Sequence, residues 1–103
     1  MESTLHLETF VVNLADEDGR TFLRIGIDLG LAKAQGKEKE GEATPVALVR
    51  DTILSALMAR RSDELESPEG KEKLKAELLH ALGQRAPELK VREIYFTEFL
   101  LQR

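Results

Sequence analysis

The sequence contains no cysteine and no tryptophan, a single tyrosine and four phenylalanines in 103 residues. Without cysteine there can be no disulfide, no thiolate nucleophile, no iron–sulfur cluster and no cysteine-ligated zinc. The scarcity of aromatics leaves few large side chains to fill a core. With 15 basic and 19 acidic residues the net charge is −4, a poor match to a nucleic-acid surface. No stretch approaches the roughly 18 consecutive apolar residues of a membrane span. The opening Met1-Glu2-Ser3-Thr4 has neither the basic start nor the apolar run of a signal peptide, so the residues given are expected to form a soluble domain. What is present is globular: 42% apolar and 33% charged residues predict one compact domain over 1–103.

Hydrophobic periodicity supplies the elements. Leu5 and Leu7 share one phase, and Phe10, Val12 and Leu14 the other. A strand over 5–14 therefore needs a phase switch near Thr9, through a bulge or through cover on both faces. Asp16-Glu17-Asp18-Gly19 predicts a turn, and the flanking Leu14 and Thr21 make it a β-hairpin. Residues 21–31 alternate strictly, with Leu23, Ile25, Ile27, Leu29 and Leu31 on one face and Arg24, Gly26, Asp28 and Gly30 on the other. The two glycines suggest a bend or a close backbone approach. Residues 32–43 carry no periodic apolar face, and a solvated, mobile loop is expected there.

Thr44-Pro45 predicts a helix start, with Thr as N-cap and Pro at the first helical position. Val46, Val49, Ile53, Leu54, Leu57 and Met58 form its apolar stripe, and Arg60 and Arg61 are placed in its last turn. Residues 62–66 read as a short connection. Ser67-Pro68 repeats the start signal, Leu74, Leu78, Ala81 and Leu82 line one face, and Gly83 is the expected C-terminal cap. Pro87 prevents much continuation. A final strand over 91–101 places Ile94, Phe96 and Leu100 on one face and Val91, Tyr95, Phe99 and Leu101 on the other. Apolar character on both faces predicts an interior strand or an exposed binding face. The order β-β-α-α-β predicts an α+β domain: a small mixed sheet with a helical pair on one face.

Catalytic and metal motifs fail on spacing. With Asp16 as the first position of a calcium loop, Thr21 falls at the sixth and Ile27 at the twelfth, where glycine and glutamate are needed. Gly26-Ile27-Asp28-Leu29-Gly30 has the wrong glycine spacing for a dinucleotide site, and Gly70-Lys71 lacks the remainder of a phosphate loop. His6 and His80 are distant, and a packing or surface role is expected for His80. No nucleophile is paired with a base, so no catalytic, cofactor or metal residue is assigned. The dense acidic group Asp63, Glu64, Glu66 and Glu69 sits before and within a helix start, where acids stabilise the dipole by about 0.3–1 kcal/mol each. Arg60 and Arg61 directly precede it. The functional alternative is a docking patch of Arg60, Arg61, Asp63, Glu64 and Glu66, with opposite charges alternating around a ring of subunits.

Three segments carry a family resemblance: Val49-Arg50-Asp51-Thr52-Ile53-Leu54, then residues 67–79 with Glu69-Gly70-Lys71-Glu72-Lys73-Leu74, then residues 91–102 with Tyr95-Phe96-Thr97-Glu98-Phe99-Leu100-Leu101-Gln102. In this order they resemble the C-terminal domain of the flagellar basal-body-associated protein FliL family. That family ends in a Tyr-Phe-Thr-x-Phe-aliphatic-x-Gln strand after a Glu-Gly-Lys-x-x-Leu helix start. The stretch from Leu7 to Leu31 fits the family's first hairpin, so the resemblance covers nearly the whole chain.

The resemblance implies a stomatin/prohibitin-like (SPFH) domain on the periplasmic face of the bacterial inner membrane, at the flagellar basal body, held by one N-terminal span. It implies association with the stator proteins MotA and MotB, self-association into rings around them, a role in motility and chemotaxis, and neither catalysis nor a cofactor. The span is not among these residues, which implies either a chain starting just after it or a soluble relative. Two functions are therefore weighed: a non-catalytic assembly protein of the flagellar motor, and a small regulatory ligand-binding α+β domain with a pocket between sheet and helices.

Overall fold

The structure, a computed structural model, describes residues 3–32 and 45–103. Its strands are β1 (Ser3–His6), β2 (Phe10–Asn13), β3 (Phe22–Leu31) and β4 (Val91–Gln102); its helices are α1 (Val46–Met58) and α2 (Pro68–Arg85). Short 3₁₀ turns occupy Ser62–Glu64 and Pro87–Leu89. The sheet is antiparallel throughout. β4 pairs along one edge of β3, while β1 and β2 pair with different halves of its other edge. This is the α+β fold that the pattern predicts, with both helices packed on one side of the sheet.

The alternation in β3 is realised directly. Leu23, Ile25, Ile27, Leu29 and Leu31 are buried, while Arg24 is exposed. They meet Val49, Ile53 and Leu57 of α1 and Leu74, Leu78 and Leu82 of α2 in one hydrophobic core. The hairpin also forms as expected. Gly19 takes φ +68, its N–H donates to the Asp16 carbonyl at 3.1 Å, and the Asp18 carboxylate accepts from the Arg20 N–H at 2.9 Å.

The phase change before the hairpin is an interruption. Residues 7–9 separate β1 from β2, so Leu5 and Leu7 as well as Phe10, Val12 and Leu14 turn to the core. α1 covers this break: Arg50 Nη1 donates to the Glu8 carbonyl at 2.8 Å, and its guanidinium stacks 4.0 Å from the centre of the Phe10 ring.

A second phase change corrects the expected faces of β4. Gly26 pairs with Glu98 and Ile27 with Phe96, so Thr97 is an extra residue, a β-bulge. Beyond it the phase inverts. Phe99 and Leu101 join Ile94 and Phe96 on the core side, and Leu100 joins Tyr95 on the outer face. Gly26 leaves room at the bulge: a Cβ there would lie 2.4 Å from Thr97 Oγ1, so the Thr97 side chain would have to turn away. The interior strand is β3; among the described residues β4 pairs only with it.

The helix ends differ from expectation in three places. α1 starts at Val46, one residue after Pro45, and Thr44 lies outside the described residues, as does most of the expected loop. Val46 and Met58 are exposed instead of completing the apolar stripe. The helix also stops before Arg60 and Arg61, which therefore leave its last turn without a cation. In α2, Gly83 stays within the helix, which ends at Arg85 immediately before Ala86-Pro87. Proline terminates this helix; the left-handed residue is Lys90, φ 54, leading into β4.

Candidate functional site

The nominated charged residues lie at the corner between the two helices. Past α1 the Arg60 carbonyl accepts from the Ala15 N–H at 2.8 Å, tying the corner to the hairpin. The following 3₁₀ turn closes on itself: Arg61 N–H donates to Glu64 Oε1 at 2.7 Å, and Glu64 N–H donates to the Arg61 carbonyl at 3.0 Å. Buried Leu65 anchors the turn in the core.

Most of the charge here is neutralised within the chain. Arg60 Nη1 contacts the Glu77 carboxylate at 3.1 Å and Glu64 at 3.7 Å, and among the described residues its buried Nε has no hydrogen-bond partner. Glu66 pairs with Arg103. Only Arg61 and Asp63 form a loose, exposed pair, at 3.5 Å. The corner thus joins α1, α2, the hairpin and the C-terminal residue. Three of its members were not visible in the sequence, since Asp16, Glu77 and Arg103 are remote from the charge switch.

Asp16 is the most specific of them. Both the N–H and the hydroxyl of buried Ser62 donate to its carboxylate, at 2.7 and 2.6 Å. Those two donors hold its carboxyl below the ordinary carboxylate range. Arg103 also donates to Ser62 Oγ, at 3.1 Å, and its hydrogen bond to Glu66 pushes its guanidinium above the ordinary value.

Two of the three segments that carry the family resemblance, the start of α2 and β4, meet in space. Ser67 caps α2, its Oγ accepting from Gly70 N–H at 3.0 Å. A Cβ on Gly70 would come within 1.9 Å of the Glu64 carbonyl oxygen, so only glycine lets α2 start this close to the turn. From the next turn Lys71 lies 4.9 Å from the centre of the Phe99 ring and Lys75 5.2 Å from that of Phe96. The Phe96 and Phe99 rings themselves stand 5.8 Å apart. The Glu-Gly-Lys start and the Tyr-Phe-Thr strand are therefore two halves of one helix–sheet contact.

The histidines do not meet. His6 Nδ1 lies 2.8 Å from Asp28 on the outer face of the sheet. His80 lines a groove of about 370 Å³ between the helices, with Ala56, Ala59, Arg60, Lys73, Ala76 and Glu77. Among the described residues no His/Cys/Asp/Glu group could hold a metal ion, and no helix is long and apolar enough to cross a membrane.

Comparison with known proteins fits this arrangement. The chain is 39% identical over 93 residues to the flagellar protein FliL of Aquifex aeolicus, covering 90% of this chain and 56% of that protein. It is 29% identical over 100 residues to the flagellar protein FliL of Bacillus subtilis, covering 97% of this chain and 68% of that one. The chain thus spans little more than half the length of the Aquifex relative. Residues 4–102 match the family described as flagellar basal body-associated protein FliL, and the chain belongs to that family.

Proposed function

We propose that this domain is a non-catalytic assembly module of the flagellar motor. It sits on the periplasmic side of the inner membrane, associates with copies of itself and supports the MotA–MotB stator. The observation that carries the reading is the family match over residues 4–102, in which the matching motifs form one helix–sheet contact. In this reading a membrane span elsewhere in the protein tethers the domain. Tethering raises effective concentration, so contacts too weak to persist between free domains still hold an assembly together.

Within the nominated patch, Arg61 and Asp63 are the members available to a partner, because Arg60, Glu64 and Glu66 are engaged within the chain. The rival ligand-binding reading has less support. The space between sheet and helices is filled by the aliphatic core, and the groove between the helices opens outward.

The test is made on the full-length protein in its host. Deleting the domain is expected to impair swimming under load and to abolish co-purification with MotA and MotB. Arg61→Glu, which leaves the Arg60–Glu77 pair in place, is expected to weaken co-purification while the protein remains folded and abundant. Normal swimming after deletion removes the motor role. Normal co-purification of Arg61→Glu removes the charged corner from the stator contact.

A further inference from the structure

The sheet has unequal edges. One side of β3 is taken by β1 and β2, four residues each, and the other by β4, twelve residues long. Among the described residues no strand pairs with the far edge of β4. A long unpaired edge offers a row of main-chain donors and acceptors to another strand, and proteins ordinarily keep such edges short. α2 lies beside this edge on the core side. Its Lys71 and Lys75, half-buried, stand over the rings of Phe99 and Phe96, 4.9 and 5.2 Å from their centres. Lys71 has no carboxylate partner among the described residues, and Lys75 reaches only the exposed Glu72, at 3.8 Å. On the opposite face of the same strand Tyr95 and Leu100 are exposed, at 46% and 44%. The edge thus has cations on its helix side and apolar side chains on its outer side.

We propose that the free edge of β4 takes up an extended segment of a partner protein as a further strand, with acidic side chains at alternate positions facing α2 and apolar ones between them. The proposal goes beyond the assembly reading, does not depend on it, and uses neither Arg61 nor Asp63. The spacing fits. Side chains one helical turn apart, as Lys71 and Lys75 are, lie about 6 Å apart along the axis. Alternate side chains of a strand lie about 6.7 Å apart, so two acids two positions apart match two lysines four positions apart. The Phe96 and Phe99 rings beneath the lysines stand at a similar interval, 5.8 Å. Glu93 and Glu98 lie on the outer face, the latter paired with Arg24 at 2.9 Å, and disfavour acids there, where Tyr95 and Leu100 favour apolar groups. The chain's own short strands do not meet this description, because β1 and β2 hold no acidic residue. Pairing two β4 edges would set Lys71 and Lys75 of one copy beside those of the other, and like charges in an interface are strongly disfavoured. The bulge at Thr97 breaks the regularity of the edge, which discourages indiscriminate pairing and leaves selection to side-chain charge.

The probe is a fluorescein-labelled peptide alternating glutamate and valine, titrated into the purified full-length protein and followed by anisotropy, with amide hydrogen exchange measured in parallel. It is expected to bind, to slow exchange in β4, and to bind about tenfold more tightly than the same peptide with lysine in place of glutamate, since two charge pairs are at stake. The double variant Lys71→Glu with Lys75→Glu is expected to reverse this preference, with a thermal melt confirming that it is folded. If it does not fold, Lys71→Gln with Lys75→Gln is expected to lose the preference without reversing it. N-methylation of every second peptide bond distinguishes strand pairing from attraction between charges. In one phase it removes the donors that face β4 and is expected to abolish binding; in the other phase it is expected to leave binding intact. Binding indifferent to both phases would overturn the strand pairing. Failure of the glutamate peptide to bind, equal binding of the two peptides, or an unchanged preference in the lysine variants would each overturn the proposal. None of these results touches the motor role, which swimming and co-purification decide separately.

Discussion

On their inner sides α1 and α2 are near copies. Val49, Ile53 and Leu57 recur every fourth residue in one, and Leu74, Leu78 and Leu82 in the other; all six are buried against β3. On their outer sides they diverge. α2 presents Glu69, Glu72, Lys73, His80 and Arg85 to solvent, whereas the exposed positions of α1 are Val46, Ala47, Asp51, Ser55 and Met58, of which Asp51 alone is charged. Their ends differ as well. α2 has a side-chain cap at Ser67, an acid in its first turn and Arg85 in its last. α1 has no side-chain cap and no charge complementing its dipole at either end. The lesson is that the core dictates only one stripe of a helix. The remaining surface is free to vary, and that of α2 carries many more charges than that of α1.

The largest expected effect tests the inner equivalence. Ile53→Ala and Leu78→Ala each remove a fully buried branched side chain, and each is expected to lower stability by about 2–5 kcal/mol. Urea denaturation of both variants, with unchanged slope, measures this. A loss at Leu78 alone would show that α1 is dispensable to the core and break the comparison.

Glycines sharpen the contrast within α2 itself. Gly70→Ala pushes a methyl into the Glu64 carbonyl and is expected to cost about 1–3 kcal/mol, the range for overpacking. Gly83→Ala meets nothing within 4 Å and lies inside the helix. It is expected to stabilise the protein by roughly 0.5–1 kcal/mol through helix propensity. Thermal melts of the two variants should move in opposite directions.

The corner between the helices adds a pH dependence. The two Ser62 donors lower the Asp16 pKa in the folded state from its ordinary 3.8, so the unfolded chain takes up the proton first. The stabilisation is therefore complete above about pH 5 and is lost as pH falls below 3.8 through the folded value. Asp16→Asn is expected to be less stable than the parent at neutral pH, with the gap in denaturation midpoints narrowing below that pH. A gap independent of pH would show that the Asp16–Ser62 contact does not act through the carboxylate.

The smallest expected effect tests the outer difference. Met58→Ser at the uncovered end of α1 is expected to change folding stability by less than about 0.5 kcal/mol, as for surface positions. A loss as large as that of Ile53→Ala would mean that Met58 is core, and α1 would no longer differ from α2 on its outer side.

Much of the fold was legible from short stretches of sequence. The alternation from Leu23 to Leu31, the turn at Asp16–Gly19 and the Ser67-Pro68 start all formed as their residues require. The candidate site was far less legible. The run from Arg60 to Glu66 looks like a surface open to a partner, yet its strongest pairs are with Glu77 and Arg103, 17 and 37 residues from their partners. Charge alone carries no direction, and any of 19 acidic residues could have met Arg60. Gly83 misled for a related reason. Glycine marks a helix end only where the backbone turns left-handed, and here the helix runs on through Gly83 and stops only at Arg85, before Pro87.

By itself, then, the sequence determined whatever depends on neighbours within a few residues: the strand period, the hairpin turn, the cap of α2 and the two inward stripes. The tertiary structure decided the phase of β4. Its alternating pattern reads identically with or without a bulge, and only the pairing of Gly26 and Ile27 with Glu98 and Phe96 shows that Thr97 is skipped. One extra residue moves every later side chain to the opposite face. That single shift sends Phe99 under Lys71 and into the core, and sends Leu100 out beside Arg24 and Val11. The outer face of the sheet exists as an apolar surface because two strands distant in sequence could align only with that residue left over.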